Sequence, residues 1–251
     1  MKRNDLVAYL EDFLQTKTID DVSDNGLQVE GAGEVTHVAF AVDSSQAAFE
    51  AAQAAGAQML IVHHGLFWGR TIMITGVHRH RLGTLFDANL SLYASHLPLD
   101  LHERVGNNAT LALWLELDGV IPFGHCKGLS IGVEGCLHQP LSLDAFVQHL
   151  EKALGEPVVR VWTFGPETVR RVGVVSGGAG FLVDEAAKAG LDVYLTGELS
   201  HNAYHQAREW GLNVVFGGHY ATETAGLKAL AGHLKTRFDL ETTFIDLPTG
   251  T

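Results

Sequence analysis

The apolar positions open with a helical stripe. Leu6, Tyr9, Leu10, Phe13 and Leu14 recur at three- and four-residue intervals, which predicts an amphipathic helix over Asp5 to Leu14 lying on a core. The polar stretch Ser23-Asp24-Asn25-Gly26 then signals a turn before Leu27 to Gly31. From Val35 the pattern changes period. His37 to Val42 reads as a strand, Ser45 to Ala55 as an alanine-rich helix closed by Gly56, and Met59 to Val62 as a second strand, making one βαβ unit. A helix near Arg81 to Ala88 leads to a third strand, Leu90 to Ala94, ending at Ser95-His96-Leu97-Pro98-Leu99-Asp100.

The second half repeats this plan. Val172 to Val175, a helix over Leu182 to Ala189, Gly190, the strand Val193 to Thr196, a helix near Ala203 to Trp210 and the strand Val214 to Phe216 follow in the same order. Glu50 to Ala54 reads in register with Glu185 to Ala189, as in a duplicated unit. Between the halves, Leu129 to Leu137 reads as a strand, Ser142 as the cap of a helix to about Leu154, and Val158 to Trp162 as another strand. A last helix carrying Leu227, Leu230, Ala231 and Leu234 precedes a strand at Thr242 to Asp246. The expected fold is α/β, with two similar three-layer lobes, 1–125 and 126–251, and a site between them. The C-terminal helix and strand are free to pack on the first lobe.

Composition narrows the partners. A chain of 251 residues that is 46% hydrophobic and 18% charged has enough apolar side chains for a real core. A net charge of -12 argues against a phosphate backbone as partner. No apolar run reaches the roughly 18–20 residues that cross a bilayer, and the N-terminus carries acids among its apolar residues, so a cytoplasmic chain with no membrane partner is expected. Cys126 and Cys136 lack the spacing of a zinc knuckle and read as ordinary thiols.

The 14 histidines carry the chemistry. In parallel sheets the carboxyl ends of strands gather ligands, and three such ends here carry donors. Ile61-Val62-His63-His64-Gly65 offers two imidazoles. Adjacent residues of a strand point opposite ways, so the pair either faces two metals, one each, or serves one site by a bend at Gly65. His96 and Asp100, and again His219 and Glu223, read as histidine, three residues, carboxylate; a helix over the latter places both on one face. A nitrogen and carboxylate set without thiolate suits zinc, iron, manganese or nickel. A bridging carboxylate holds two cations about 3.5–4 Å apart, the role expected of Glu223. Glu198, in Thr196-Gly197-Glu198, mirrors the histidine pair; a catalytic base, a group orienting a ligand histidine and a structural carboxylate are all open for it. Ser176 to Gly180 reads as a tight turn, with a phosphate cradle as the alternative, and His201 and His205 as a solvated helix face.

Taken together, Ser23 to Gly31, Ile61 to Gly65, His96 to Asp100, Gly106-Asn107-Asn108, Thr196 to Glu198, and Gly218-His219 with Glu223 resemble the Nif-three-like dinuclear metal-centre family, whose bacterial members are labelled GTP cyclohydrolase 1 type 2 homologues. The resemblance runs nearly end to end and lacks the long central insertion of some relatives. It implies one cation on His64 and Asp100, the other on His63 and His219, Glu223 touching both, and His96 behind the ligands. It also implies a homo-hexameric ring with the metal pairs facing inward. No stretch reads as a guanine pocket. The leading expectation is a metal-dependent hydrolase acting on a nucleotide or other phosphorylated small molecule, its paired cations lowering the pKa of a water. The rival is a non-enzymatic metal-binding, regulatory or assembly protein. A DNA-encircling ring, also implied by resemblance, meets the charge of -12.

Overall fold

The computed structural model describes residues 1–251. The chain divides into two units, one of residues 1–105 with 227–247 and one of residues 106–226 with 248–251. The expected boundary at 125/126 falls beside the turn of a hairpin that lies wholly in the second unit.

In the first unit, α1 (Arg3–Phe13) is followed by β1 (Gly26–Val29), β2 (His37–Asp43), α2 (Gln46–Ala54), β3 (Met59–His64), α3 (Gly76–Asp87), β4 (Ser91–Ala94) and the short α4 (Leu97–Asp100). Its sheet has the order β1-β4-β3-β2 with a fifth strand, Glu241–Phe244, beside β2. Strands β2, β3 and β4 are parallel, as two βαβ crossovers require, and β1 runs antiparallel on the outside of β4. Both faces are covered: Ala39, Ala41, Leu60, Val62 and Leu92 pack with Phe49 and Ala52 of α2 and Leu82 and Leu85 of α3, and the alternate residues Val38, Phe40, Ile61 and Tyr93 are buried too. Ser45 caps α2, its Oγ accepting from the Ala48 amide at 3.2 Å.

The second unit holds α5 (Asn107–Trp114), β5 (Leu117–Cys126), β6 (Leu129–Ser142), α6 (Leu143–Leu154), β7 (Arg160–Trp162), β8 (Thr168–Val175), a 3-10 turn at Gly180–Leu182, α7 (Val183–Lys188), β9 (Val193–Thr196), α8 (Ala203–Trp210) and β10 (Asn213–Phe216). Its sheet runs β5-β6-β8-β9-β10-β7. Strands β8, β9 and β10 are parallel, and β7 is antiparallel outside β10 as β1 is outside β4. Three layers result. Val172, Val174, Val193, Leu195 and Val215 pack with α5 and α6, while Val175, Tyr194, Val214 and Phe216 pack with α7 and α8. The last helix, α9 (His219–Phe238), begins in this unit and continues into the first, where β11 (Glu241–Phe244) completes the sheet.

The two βαβ cores share the same helix stop. Gly56 and Gly190 both take positive φ, +74° and +71°, at which the next residue's amide reaches back to Ala52 and Ala186. Matching the cores on these glycines puts Ala51, rather than Glu50, opposite Glu185. No helix is long and apolar enough to cross a membrane.

Candidate metal centre

In the first unit, β3 and β4 end side by side and bring three imidazoles together. Ring nitrogens of His63, His64 and His96 all lie within 4.8 Å of one another. His63 and His64 are successive strand residues, yet their ring centroids are 4.8 Å apart, because the chain leaves the sheet at Gly65 and both rings converge. Gly65 is required there, since a Cβ would overlap the Gln28 amide, whose Oε1 accepts from the Leu66 amide at 2.7 Å. Pro98, in the first turn of α4, is compatible with the helix because no intrahelical donor is needed at that place. That turn carries the buried Asp100 to within 3.5 Å of His63, carboxylate Oδ2 to Nε2.

Each ring is held by its other nitrogen. Fully buried His63 places Nδ1 3.0 Å from the Ser95 carbonyl oxygen. His64 places Nδ1 2.8 Å from Asp43 Oδ1, and the β2–β3 register sets these residues opposite each other. His96 places Nδ1 3.0 and 3.1 Å from the two oxygens of Asp21. An oxygen acceptor at Nδ1 puts the proton there and leaves Nε2 as a lone pair, the form in which histidine binds metal.

Trp68 stands edge-on to His96, with centroids 5.1 Å apart, and its indole N–H donates to the Gly65 carbonyl at 2.9 Å. The loop bearing it is fastened to the Ser23–Asn25 turn. Asp24 N donates to the Phe67 carbonyl at 3.0 Å, and Gly69 N to Asp24 Oδ2 at 3.1 Å.

In the second unit, the loops after β8, β9 and β10 are sewn to one another around His219 and Glu223. The amides of Gly197 and Glu198 both donate to the Gly177 carbonyl, and Gly218 N donates to the Gly197 carbonyl. Thr222 Oγ1 accepts from Gly177 N at 3.0 Å. One helical turn separates His219 from the buried Glu223, and Nε2 of the first lies 3.1 Å from Oε1 of the second. Glu198 Oε2 stands 3.4 Å from His219 Nδ1, which repeats the pattern of the first unit.

The Ser176–Gly180 segment is a packed turn, not a phosphate cradle. The amides of Ser176, Gly177 and Ala179 are spent on Asn108 Oδ1, Thr222 Oγ1 and Thr196 Oγ1. Gly177 adopts φ +64°, and a Cβ there would overlap the Glu223 carboxylate. His201 and His205 are exposed, His201 in the turn before α8 and His205 on it. Neither cysteine is in a disulfide.

These donors fit a divalent cation. Two ligand atoms at metal bonds of about 2.0–2.2 Å in tetrahedral geometry stand roughly 3.3 Å apart. His219 with Glu223, at 3.1 Å, is close to that separation. Asp43 and Asp21 escaped the sequence reading. Asp43 ends a strand as the histidines do, a signal that was available; Asp21 lies in an irregular segment and carries none.

The comparisons agree with this architecture. The family model Duf34/NIF3 (NGG1p interacting factor 3) matches residues 1–250. A protein of Deinococcus radiodurans described as "GTP cyclohydrolase 1 type 2 homolog" is 44% identical over 99% of this chain and 94% of its own length. A Pyrococcus horikoshii protein of the same description is 44% identical over 100% of both chains. The crystal structure of TTHA1606 from Thermus thermophilus superposes with a TM-score of 0.92 at 41% identity, covering 100% of both. The chain therefore belongs to the Duf34/NIF3 family.

Proposed function

We propose that this protein holds two divalent cations on His63, His64, Asp100, His219 and Glu223 and hydrolyses a nucleotide or other phosphorylated small molecule. The observation that carries the metal reading is the pattern of imidazole support. His63, His64 and His219 each place Nδ1 near an oxygen, of Ser95, Asp43 and Glu198 respectively, and so offer Nε2 as a donor. Three of these donors come from the first unit and two from the second. Zinc, iron, manganese and nickel all suit the donors. A bound pair supplies a water of lowered pKa and positive charge against a substrate oxygen.

Around it, Asp43 and the Ser95 carbonyl orient two imidazoles, and Glu198 takes a proton from water as general base. The resemblance further supports a homo-hexameric ring, which light scattering on purified protein tests. Elemental analysis of protein purified without added metal, followed by a screen of that material against nucleotides and phosphoesters, tests the function. Turnover unchanged by His64→Ala or Glu223→Ala sinks it. Stoichiometric metal with no turnover on any substrate favours a metal-holding protein instead.

A further inference from the structure

The segment Asp21 to Asn25 is built around one imidazole that the ligand assignment above leaves out. Asp21 accepts from His96 Nδ1 through both oxygens, from Leu97 N at 3.0 Å, from Asn25 Nδ2 at 2.9 Å and from Ser23 N at 3.3 Å. Asn25 Oδ1 in turn accepts from the His96 amide at 2.7 Å. Main chain and ring of His96 are thus gripped by the same turn.

The grip uses a carboxylate that is costly to bury. The Asp21 side chain is 1% exposed, and burying a charge is unfavourable unless hydrogen bonds replace its water. The N–H groups of Asn25, Leu97 and Ser23 supply those bonds beside the His96 ring. Both Asp21 oxygens accept at His96 Nδ1, which places the ring proton there. Nε2 is then left as the metal-binding nitrogen, and His96 belongs to the same 4.8 Å group of ring nitrogens as His63 and His64.

We infer that His96 is a third imidazole donor to the metal centre of the first unit, with Asp21 and Asn25 as the positioning residues that aim it. This rests on the metal-binding reading above and adds a ligand to it. Its orienting carboxylate matches the one His64 has in Asp43, so the two rings are prepared for the same task. Glutamine at position 96 removes the ring nitrogen. Asparagine at position 21 keeps the shape of the acceptor but removes its charge, so it weakens the proton's preference for Nδ1.

The test is a cobalt(II) titration of wild type, His96→Gln, Asp21→Asn and the surface control His138→Gln, read by affinity, stoichiometry and the visible absorption of the bound ion. Circular dichroism checks that each variant is folded. His96→Gln is expected to weaken one class of site at least about tenfold and to shift the visible bands. Asp21→Asn is expected to weaken the same class by about 10–100-fold, and His138→Gln to change nothing. If His96→Gln fails to fold, the nitrogen-15 spectrum of histidine-labelled wild type replaces it, with the Nε2 resonance of His96 moving on zinc addition. A folded His96→Gln with wild-type affinity and spectrum, or a stationary Nε2 resonance, overturns the inference and leaves five-residue binding intact. Absence of cobalt binding by wild type overturns the metal reading itself.

Discussion

Gly177 shows how much a missing side chain decides. Its φ of +64° costs any other L-residue about 1–2 kcal/mol, and the space a Cβ needs is taken by the Glu223 carboxylate. Gly177→Ala is therefore expected to lower stability by about that amount and to displace Glu223. Calorimetric metal titration should then show weakened binding even where the variant is folded. Glu198 divides two roles by one substitution. As base it makes Glu198→Gln lower kcat at saturating metal; as the acceptor behind His219 Nδ1 it makes the same variant lower metal affinity. Measuring both separates them. At this scale the histidines and carboxylates of the candidate site were legible, because donor side chains clustered at the ends of buried apolar strands stand out from the residues around them. Their supports were not. Asp43 becomes informative only when the β2–β3 register sets it against His64, and Asp21 only when a turn 75 residues away in sequence closes on His96.

Elements obey local rules where their sequence is regular. Ser142 caps α6, accepting from the Ala145 amide at 3.2 Å, and Gly155 ends that helix at φ +85°. Ser142→Ala is expected to cost about 1 kcal/mol, visible as a lower denaturation midpoint with unchanged slope. Strand β5 escaped notice because Gly119, Pro122 and Gly124 read as breakers, and such residues are tolerated at an edge. It pairs only with β6, which makes it that edge. Helix α5 escaped for another reason: Leu113 is 73% exposed beside buried Leu111 and Ala112, so its apolar residues form no clean stripe.

Helices α1 and α9 meet through aromatic rings. His233 stacks on Phe13, with centroids 4.3 Å apart, and its Nε2 lies 2.5 Å from the Tyr9 hydroxyl. Burial, then the nearby Arg104 and Arg237, lower the pKa of His233 from its ordinary 6.5. His102, which also contacts the Phe13 ring, is lowered too, chiefly by burial. A folded-state pKa below the unfolded value gives stability that is whole above about pH 6.5 and lost as the pH falls through that value toward the folded pKa. Thermal melts of wild type should drop over that interval, and His233→Gln should flatten part of the drop.

For the molecule as a whole, metal binding and stability are linked. Anything that binds the folded state alone raises the melting temperature, by about 2.7 kcal/mol of stability when free ligand is at 100 times Kd. Adding zinc or manganese to chelator-treated protein is expected to raise Tm, and Glu223→Ala is expected to abolish that rise. A melt indifferent to metal for wild type counts against the candidate centre. The charge of -12 belongs to this scale too: it concerns association and partners, and leaves the fold untouched.

Hydrophobic period, cap residues and strand-end donors are local properties, each read within a dozen positions. The sequence by itself therefore determined the α/β class and the repeated βαβ plan, and it marked the candidate donors among the histidines and carboxylates. Tertiary structure decided what depends on contacts between distant segments. Those are the transfer of residues 227–247 to the first unit, the hairpin edge of the second unit's sheet, and the acceptors behind each imidazole. The reason is physical: a ligand histidine is defined by which nitrogen carries its proton, and the partner that sets this can come from any part of the chain.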